Sequence, residues 1–505
     1  MMRKLQSKLK NEIRSHKILY VCLFAVLLGG MFVRVWNIQN SLGFYFDQGR
    51  DALVIWDFWH KGKLFLVGPT TGIAGIFRGP FYYYLIAPFY LLGGGDPVWP
   101  SVFLSLTTIA AIALMFYLAQ KMQNRVTGLF AAAIACFSFY IVLAGRWLSN
   151  PTPMLLFSMV LVWLMVLVTE GKKWAWPLIS FVAGLSLFHF GSSGEFFYFP
   201  ALAVFFLWQR KNWPTRNQFV LSILAFFVTA SPLLLFDVRH GGILRSNISQ
   251  FLVGEQSFKV SFWEVVRTRL NFYYDVFTSK IFHWRQRVEV MVLVVMAAVF
   301  VLNLKSLWNN AKTRILIILI LSPMVGLLFF QGNFGNIYDY YLTGYYLIFI
   351  LLFALVLGRI WQLNIFGKAF VFFFFYLFWQ LNWGITLSRV SDMMDGPYSI
   401  GFRNEKLALD WVYEDAGGRE FNVDVYVPPV IPYAYDYLFK WLGTTKYGYL
   451  PKEEQIGLLY TIYEQDESHP DRIGAWFLRQ DGIGRVEEEV RFGGIGVQRR
   501  SRISN

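Results

Sequence analysis

The stretch ILYVCLFAVLLGGMFVRVW at residues 18 to 36, with FDQGRD following at 46 to 51, decides what kind of chain this is. The run from Ile18 to Val33 carries no charge. A hydrocarbon core about 30 Å thick is crossed by a helix of about 20 mostly apolar residues. Arg3, Lys4, Lys8, Lys10, Arg14 and Lys17 precede the run, no small-residue cleavage pattern follows it, and Arg34 and Trp36 read as an interfacial stop. The segment is expected to remain as an uncleaved signal anchor with a cytoplasmic N-terminus. FDQGRD then falls at the opposite interface.

Runs of this kind recur as far as Ile385, in a chain of 505 residues that is 56% hydrophobic, 19% aromatic and 15% charged. A soluble domain carries fewer apolar and more charged residues, so water is not the main solvent. The formal charge of +14 sits in short clusters between apolar runs. Membrane topology accounts for that pattern, and nucleic acid is not an expected partner. Cys22 and Cys136 both fall inside predicted spans, which argues against a disulfide framework or a cysteine metal site.

Lys and Arg in short loops mark the cytoplasmic side. Lys121/Arg125, Lys172/Lys173, Arg210/Lys211/Arg216, Lys305/Lys312/Arg314 and Arg359/Lys368 are placed there. Eleven spans result, at 18–36, 98–119, 127–145, 152–169, 175–190, 195–208, 217–236, 288–304, 315–331, 340–357 and 368–386. Phe81 to Leu92, about 12 residues rich in Tyr and Pro, is too short for a comfortable crossing. It is expected as a juxtamembrane helix in the first outer loop, 37–97, with its tyrosine hydroxyls wet. If it crosses, the spans number twelve.

With eleven crossings, Asp47, Asp51, Asp57, Asp96, Glu195, Asp237, Glu255, Glu264, Asp275, Glu289 and Asp339 all lie outside, and only Glu12 and Glu170 lie inside. The positive-inside rule hardly weighs acidic residues, so this asymmetry is independent of the threading. It points to carboxylate chemistry on the outer face. The second long outer loop, 237–287, carries Phe262, Val266, Leu270, Tyr273, Phe277 and Ile281 at helical spacing, the mark of an amphipathic helix on the bilayer surface.

From about residue 390 charges become frequent and apolar runs shorten. Residues 390–505 are expected to form a small soluble α+β domain on the outer side of the transmembrane module, 1–389. Helices are predicted near Glu405 to Asp415 and Tyr433 to Trp441. Strands are predicted near Phe421 to Val427, Gly457 to Tyr463 and Val486 to Phe492.

Within Phe46-Asp47-Gln48-Gly49-Arg50-Asp51, Arg50 and Asp51 make an interfacial ion pair on one reading, and on another Asp47 is a general base. Gly68-Pro69-Thr70-Thr71-Gly72 specifies turns, and Arg78 follows beside the aromatic segment, where its fork of donors suits a phosphate or simply snorkels. His240 either binds or caps its span, and Asp237 and Arg239 either act or pair with each other. Glu195 sits at a helix start, where a carboxylate is favourable, and Tyr340 and Tyr341 suit either an aromatic belt or a lipid-phosphate groove.

The acidic residue after the first span, the Pro-containing juxtamembrane helix with its adjacent basic residue, and the C-terminal outer domain together resemble the GT-C glycosyltransferases. The resemblance is nearest to the family 39 group, which includes protein O-mannosyltransferases and the lipid A aminoarabinose transferase. Gly145-Arg146-Trp147-Leu148-Ser149-Asn150-Pro151 and Ser231-Pro232-Leu233-Leu234-Leu235-Phe236-Asp237-Val238-Arg239-His240 are similar to that group's outer-loop motifs. Residues 1 to about 390 are covered in organisation, and the C-terminal domain loosely. The family usually has Asp-Glu where this chain has Asp47-Gln48, and Lys-Pro-Pro where it has Arg78-Gly79-Pro80.

The resemblance implies inverting transfer of a sugar from a polyprenyl-phosphate carrier to an acceptor hydroxyl of a protein, lipid or glycan. It assigns Asp47 as base and Arg78, Arg50, Arg146, Arg239 and His240 as the cations that meet the leaving phosphate. Asp51, Asp237, Glu195, Tyr340 and Tyr341 are candidates for the sugar or acceptor. The lipid-linked sugar is the co-substrate; no further cofactor is called for, and a divalent ion is left open. The rivals are a transporter or flippase of a lipid-linked saccharide, and a non-catalytic assembly or receptor protein. The expected location is a plasma membrane.

Overall fold

The computed structural model describes residues 11–71, 75–250, 261–283, 287–329, 337–391, 399–428 and 431–503. Arg3, Lys4, Lys8, Lys10, Gly72, Glu255 and the last two residues of the 315–331 span lie outside these.

A helix stands at each of the eleven predicted spans. They are α1 (Lys17–Val35), α4 (Val98–Met122), α5 with α6 (Arg125–Phe137 and Phe139–Arg146), α7 (Met154–Thr169), α8 (Ala175–Leu185), α9 (Tyr198–Trp208), α10 (Arg216–Arg239), α12 (Arg287–Leu302), α13 (Ala311–Gly326), α14 (Thr343–Leu363) and α15 (Ile365–Ser391). Five are long and apolar enough to cross a bilayer unaided, counting α14 with the turn before it, and the bent pair α5–α6 makes a sixth. The chain is a multi-pass helical membrane protein with a small C-terminal α+β domain.

The third span does not run straight. It bends by 65° at Ser138, which frees carbonyl groups that a continuous helix would satisfy. The Arg34 guanidinium takes them up, donating to Ala135 O at 2.8 Å and Cys136 O at 2.9 Å. Asn382 accepts the Phe139 N–H from the other side at 2.9 Å. Arg34 is therefore fully buried, not the interfacial stop its position suggests; Trp36 alone is exposed.

Three elements of the loops and the domain position the site. The first is α2 (Phe46–Lys61), in the first outer loop, where a helix was expected only at 81–92. It buries Ala52, Ile55 and Trp56 on one stripe and ends at Gly62 with φ of 64°. The second is α3 (Phe81–Leu92), as predicted a 12-residue helix, but its tyrosines are not wet. Tyr82, Tyr83 and Tyr90 are buried, the Tyr82 and Tyr90 hydroxyls without a partner among the described residues, because α2 and Tyr437 of the C-terminal domain close over them. The third is α11 (Phe262–Ser279), which buries Val265, Arg269, Tyr273, Val276 and Phe277. Phe262 and Leu270, assigned to its apolar stripe, are exposed instead, together with Trp263.

The C-terminal domain has a four-stranded sheet in the order β1-β2-β4-β3: β1 (Asn422–Tyr426), β2 (Leu458–Glu464), β3 (Gly484–Phe492) and β4 (Ile495–Arg502). β1 pairs parallel to β2, and the other pairings are antiparallel. α16 (Phe402–Ala416) and α17 (Tyr433–Leu442) match the two predicted helices, while α18 (Pro470–Ile483) and the central strand β4 were not foreseen. β4 carries Arg499, Arg500 and Arg502, which hide its strand character. Arg500 is buried and satisfied by Gln498, Asp481 and the Gly484 carbonyl.

α17 docks on α2 at Gly49. A Cβ there would lie 2.3 Å from the Ala434 nitrogen and 2.4 Å from the Tyr433 carbonyl carbon, so backbone meets backbone. Tyr437 donates to the Gly95 carbonyl, and Trp441 Nε1 donates to Gly94 O at 2.8 Å. Gly49→Ala is expected to cost about 1–3 kcal/mol by overpacking and to lift the domain from α2. Limited proteolysis checks this: cleavage between the two parts should become faster, and an unchanged pattern would show that the seam tolerates the methyl group.

Candidate active site

α2 presents Asp47, Arg50 and Asp51 at i, i+3 and i+4, hence on one face. Arg50 grips Asp47 at 2.8 Å and Asp51 at 2.7 and 3.0 Å, and its third arm donates to Thr70 Oγ1 at 2.8 Å. Asp51 is buried and also accepts from Tyr83 Oη at 2.9 Å. Burial pushes its pKa up to about 6 against the pull of Arg50. Asp51 thus ties α2 to α3, whereas the Asp47 side chain is 59% exposed and free to meet a substrate on its open side. Gln48, which replaces the family's second carboxylate, spends both ends on backbone: it accepts from Tyr45 N at 3.1 Å and donates to Leu148 O at 3.0 Å. It has no acid–base function to offer.

Arg78 leaves a short antiparallel bridge between Thr70 and Phe77 and enters a tight clamp. Gly79 N–H donates to Phe188 O at 2.7 Å, and a Cβ on Gly79 would lie 2.2 Å from His189 Nδ1. That nitrogen accepts from Phe81 N–H at 3.2 Å, while Nε2 faces Thr229 O at 2.7 Å. Only a neutral ring protonated on Nε2 satisfies both. His189 was not singled out in the sequence, where it is one histidine inside an apolar run. The clamp sets the direction of Arg78, whose half-buried guanidinium makes no hydrogen bond or ion pair among the described residues. Burial lowers its pKa, opposed by Glu195, Tyr340 and Tyr341, which lie within its electrostatic reach.

Glu195, however, is committed to backbone. It accepts from Ser192 N at 2.5 Å and from Gly344 N at 3.0 Å, tying its own helix start to that of α14, and it is fully buried. At the end of α10, Asp237 accepts from Arg245 N at 3.0 Å rather than pairing with Arg239, which is exposed. His240 is exposed too, stacked on Phe236 and bonded to its carbonyl oxygen at 2.8 Å. Phe236 touches Phe77, which places this corner beside the Arg78 loop.

A cavity of about 270 Å³ opens between the end of α1, α6, α14, α15 and the start of the C-terminal domain. Tyr45, at the N-terminus of α2 and two residues before Asp47, forms part of its wall, as does Tyr340. Three cations line it: Arg146, Lys280 and Arg389. Arg146 is mostly spoken for, donating to the carbonyls of Val33, Arg34 and Trp36 and to Ser41 Oγ at 2.6 Å, and so holds the end of α1. Lys280 is 1% exposed, paired with Asp339 at 2.9 Å and set over the rings of Tyr140 and Tyr346. Burial lowers its pKa, with Asp339 opposing. Arg389 has no hydrogen-bonding or ionic partner among the described residues. Neither Lys280 nor Arg389 stands in a recognisable motif. Among the described residues, no group of three His, Cys, Asp or Glu comes together to hold a metal ion.

The family model for dolichyl-phosphate-mannose-protein mannosyltransferase matches residues 78–236. No curated protein sequence matches the chain. Among solved structures, ArnT from Cupriavidus metallidurans in the apo state superposes with a TM-score of 0.60 at 12% identity, covering 96% of this chain and 98% of that one. The same protein bound to undecaprenyl phosphate gives 0.57 at 13% identity, covering 95% and 97%. The Archaeoglobus fulgidus oligosaccharyltransferase AglB, in complex with an inhibitory peptide and a dolichol-phosphate, gives 0.52 at 11% identity, covering 94% and 73%. The superpositions extend along nearly the whole chain, and this protein has the fold of the GT-C membrane glycosyltransferases.

Proposed function

We propose that the protein transfers a sugar from a polyprenyl-phosphate-linked donor to an acceptor hydroxyl, with inversion, on the extracytoplasmic face of a plasma membrane. In this reading residues 1–389 form the membrane module, with the N-terminus in the cytoplasm, and residues 390–505 form the outer domain. The observation that carries it is an exposed carboxylate, Asp47, held by a guanidinium beside a cation-lined cavity. The ligands named for ArnT and AglB, undecaprenyl phosphate and dolichol-phosphate, are of the donor's class.

In the reaction, Asp47 takes the acceptor's hydroxyl proton as its oxygen bonds to the anomeric carbon. The bond from that carbon to the phosphate oxygen breaks, and its electron pair stays on the lipid phosphate. In this reading Arg78 and Arg389, unpaired among the described residues, meet that charge, and Lys280 supports them. Arg50 orients Asp47, and Arg146 holds the cavity wall. Arg239 and His240 are left at the edge.

The test uses the purified full chain in nanodiscs with a polyprenyl-phosphate hexose. Expected is acceptor-dependent appearance of polyprenyl phosphate, with the sugar recovered on the acceptor at the opposite anomeric configuration. Movement of intact donor across the bilayer of a proteoliposome without cleavage would assign the protein to transport instead.

A further inference from the structure

A second cavity, of about 390 Å³, lies on the other side of Tyr45, between α2 and the C-terminal domain. Tyr45, Arg389 and Ile400 belong to both cavities, so the two adjoin. Their chemistry differs. The first has three cations and one carboxylate, Asp339. The second has Arg389 against Glu464, and a further carboxylate, Glu405, lies close enough to Glu464 to repel it. Its walls include the rings of Phe46 and Tyr433, set edge to face with centroids 4.9 Å apart.

Glu464 is 7% exposed; one oxygen accepts from Tyr435 Oη at 2.9 Å, and the other has no partner among the described residues. Glu405 is fully buried, and neither of its oxygens has a hydrogen-bond partner among the described residues. Buried acceptors in this state are costly unless a donor arrives. An anionic phosphate meets more positive charge in the first cavity than in the second, where Arg389 faces Glu464. A ligand suited to the second brings hydroxyl donors for the acidic corner and an apolar face for the rings, and a pyranose offers both.

We propose that the cavity between α2 and the C-terminal domain is the acceptor subsite and that its ligand is a carbohydrate, packed on Phe46 and Tyr433 with a hydroxyl donated to Glu464. The acceptor is then a glycan, rather than a serine or threonine of a polypeptide. This rests on the transferase reading, since Phe46 immediately precedes the proposed base. The cavity's preference for sugar is measurable without turnover.

Saturation-transfer NMR on the full chain in nanodiscs tests it, with the methyl glycosides of glucose, mannose, galactose and N-acetylglucosamine and a Ser/Thr hexapeptide as probes. Expected is saccharide binding that weakens about tenfold in Glu464→Gln and in Tyr433→Ala. Two variants on different walls guard against a folding defect in one, and each is compared at equal monodispersity. No saccharide binding, binding unchanged in both variants, or displacement by the peptide alone would overturn the proposal. Saccharide binding in a protein that cleaves no donor would leave the sugar site standing and overturn its assignment as the acceptor's.

Discussion

Asp47→Asn is expected to lower kcat about 10²–10⁴-fold, the range for losing a positioned general base, while the KM for the lipid-linked donor stays within a few-fold of wild type. The geometry makes this a clean substitution. Arg50 keeps its bonds to Asp51 at 2.7 and 3.0 Å and to Thr70 at 2.8 Å, so the rim should hold its shape when the charge on Asp47 is removed. The Asp47 side chain is largely exposed, and an exposed ion pair of this kind contributes no more than about 1 kcal/mol to stability. A thermal midpoint near that of wild type, with transfer lost, is the combination expected from single-turnover and unfolding measurements together. A variant that transfers sugar at the wild-type rate would remove Asp47 from the mechanism.

Arg78→Ala is the second large effect expected, a fall in kcat/KM for the donor of about 10²–10³-fold, shared between kcat and KM. The guanidinium is held by its backbone clamp rather than by side-chain partners, so the fold has little to lose from its removal. Arg78→Lys should recover part of the rate, because an ammonium supplies the charge without the planar fork. Donor-titrated steady-state kinetics on both variants checks this, and a kcat/KM for the alanine form within about threefold of wild type would exclude Arg78 from donor binding.

The helical spans were legible because a membrane demands long apolar runs, and each of the eleven has its helix. α2 was not legible: its helical stripe of Ala52, Ile55 and Trp56 is short and interleaved with charges that read as a loop. The wet tyrosines of α3 and the interfacial Arg34 were misjudged for one reason. Position along a single helix says nothing about which other chain segment covers it, and both are covered by residues far away in sequence. The same limit hid the cavity. Lys280 follows the end of α11 and Arg389 stands in the last turn of α15, and they meet only in three dimensions, whereas Asp47, Arg50 and Arg78 could be nominated because they sit next to turns and interfaces. β4 escaped because its arginines find partners within the fold rather than in solvent, Arg500 with Gln498 and Asp481 and Arg499 with Asp415 and Glu487.

The plug that Arg34 makes at the kink beside Ser138 bears on biogenesis. The chain is made from its amino end, so this guanidinium enters the translocation machinery before Ala135 and Cys136, the carbonyl acceptors of its eventual cradle, have been synthesised. A lone cation of that sort is expensive in lipid. The first and third helices must therefore leave the translocon as one packet, with the second between them, before the rest of the bundle is added.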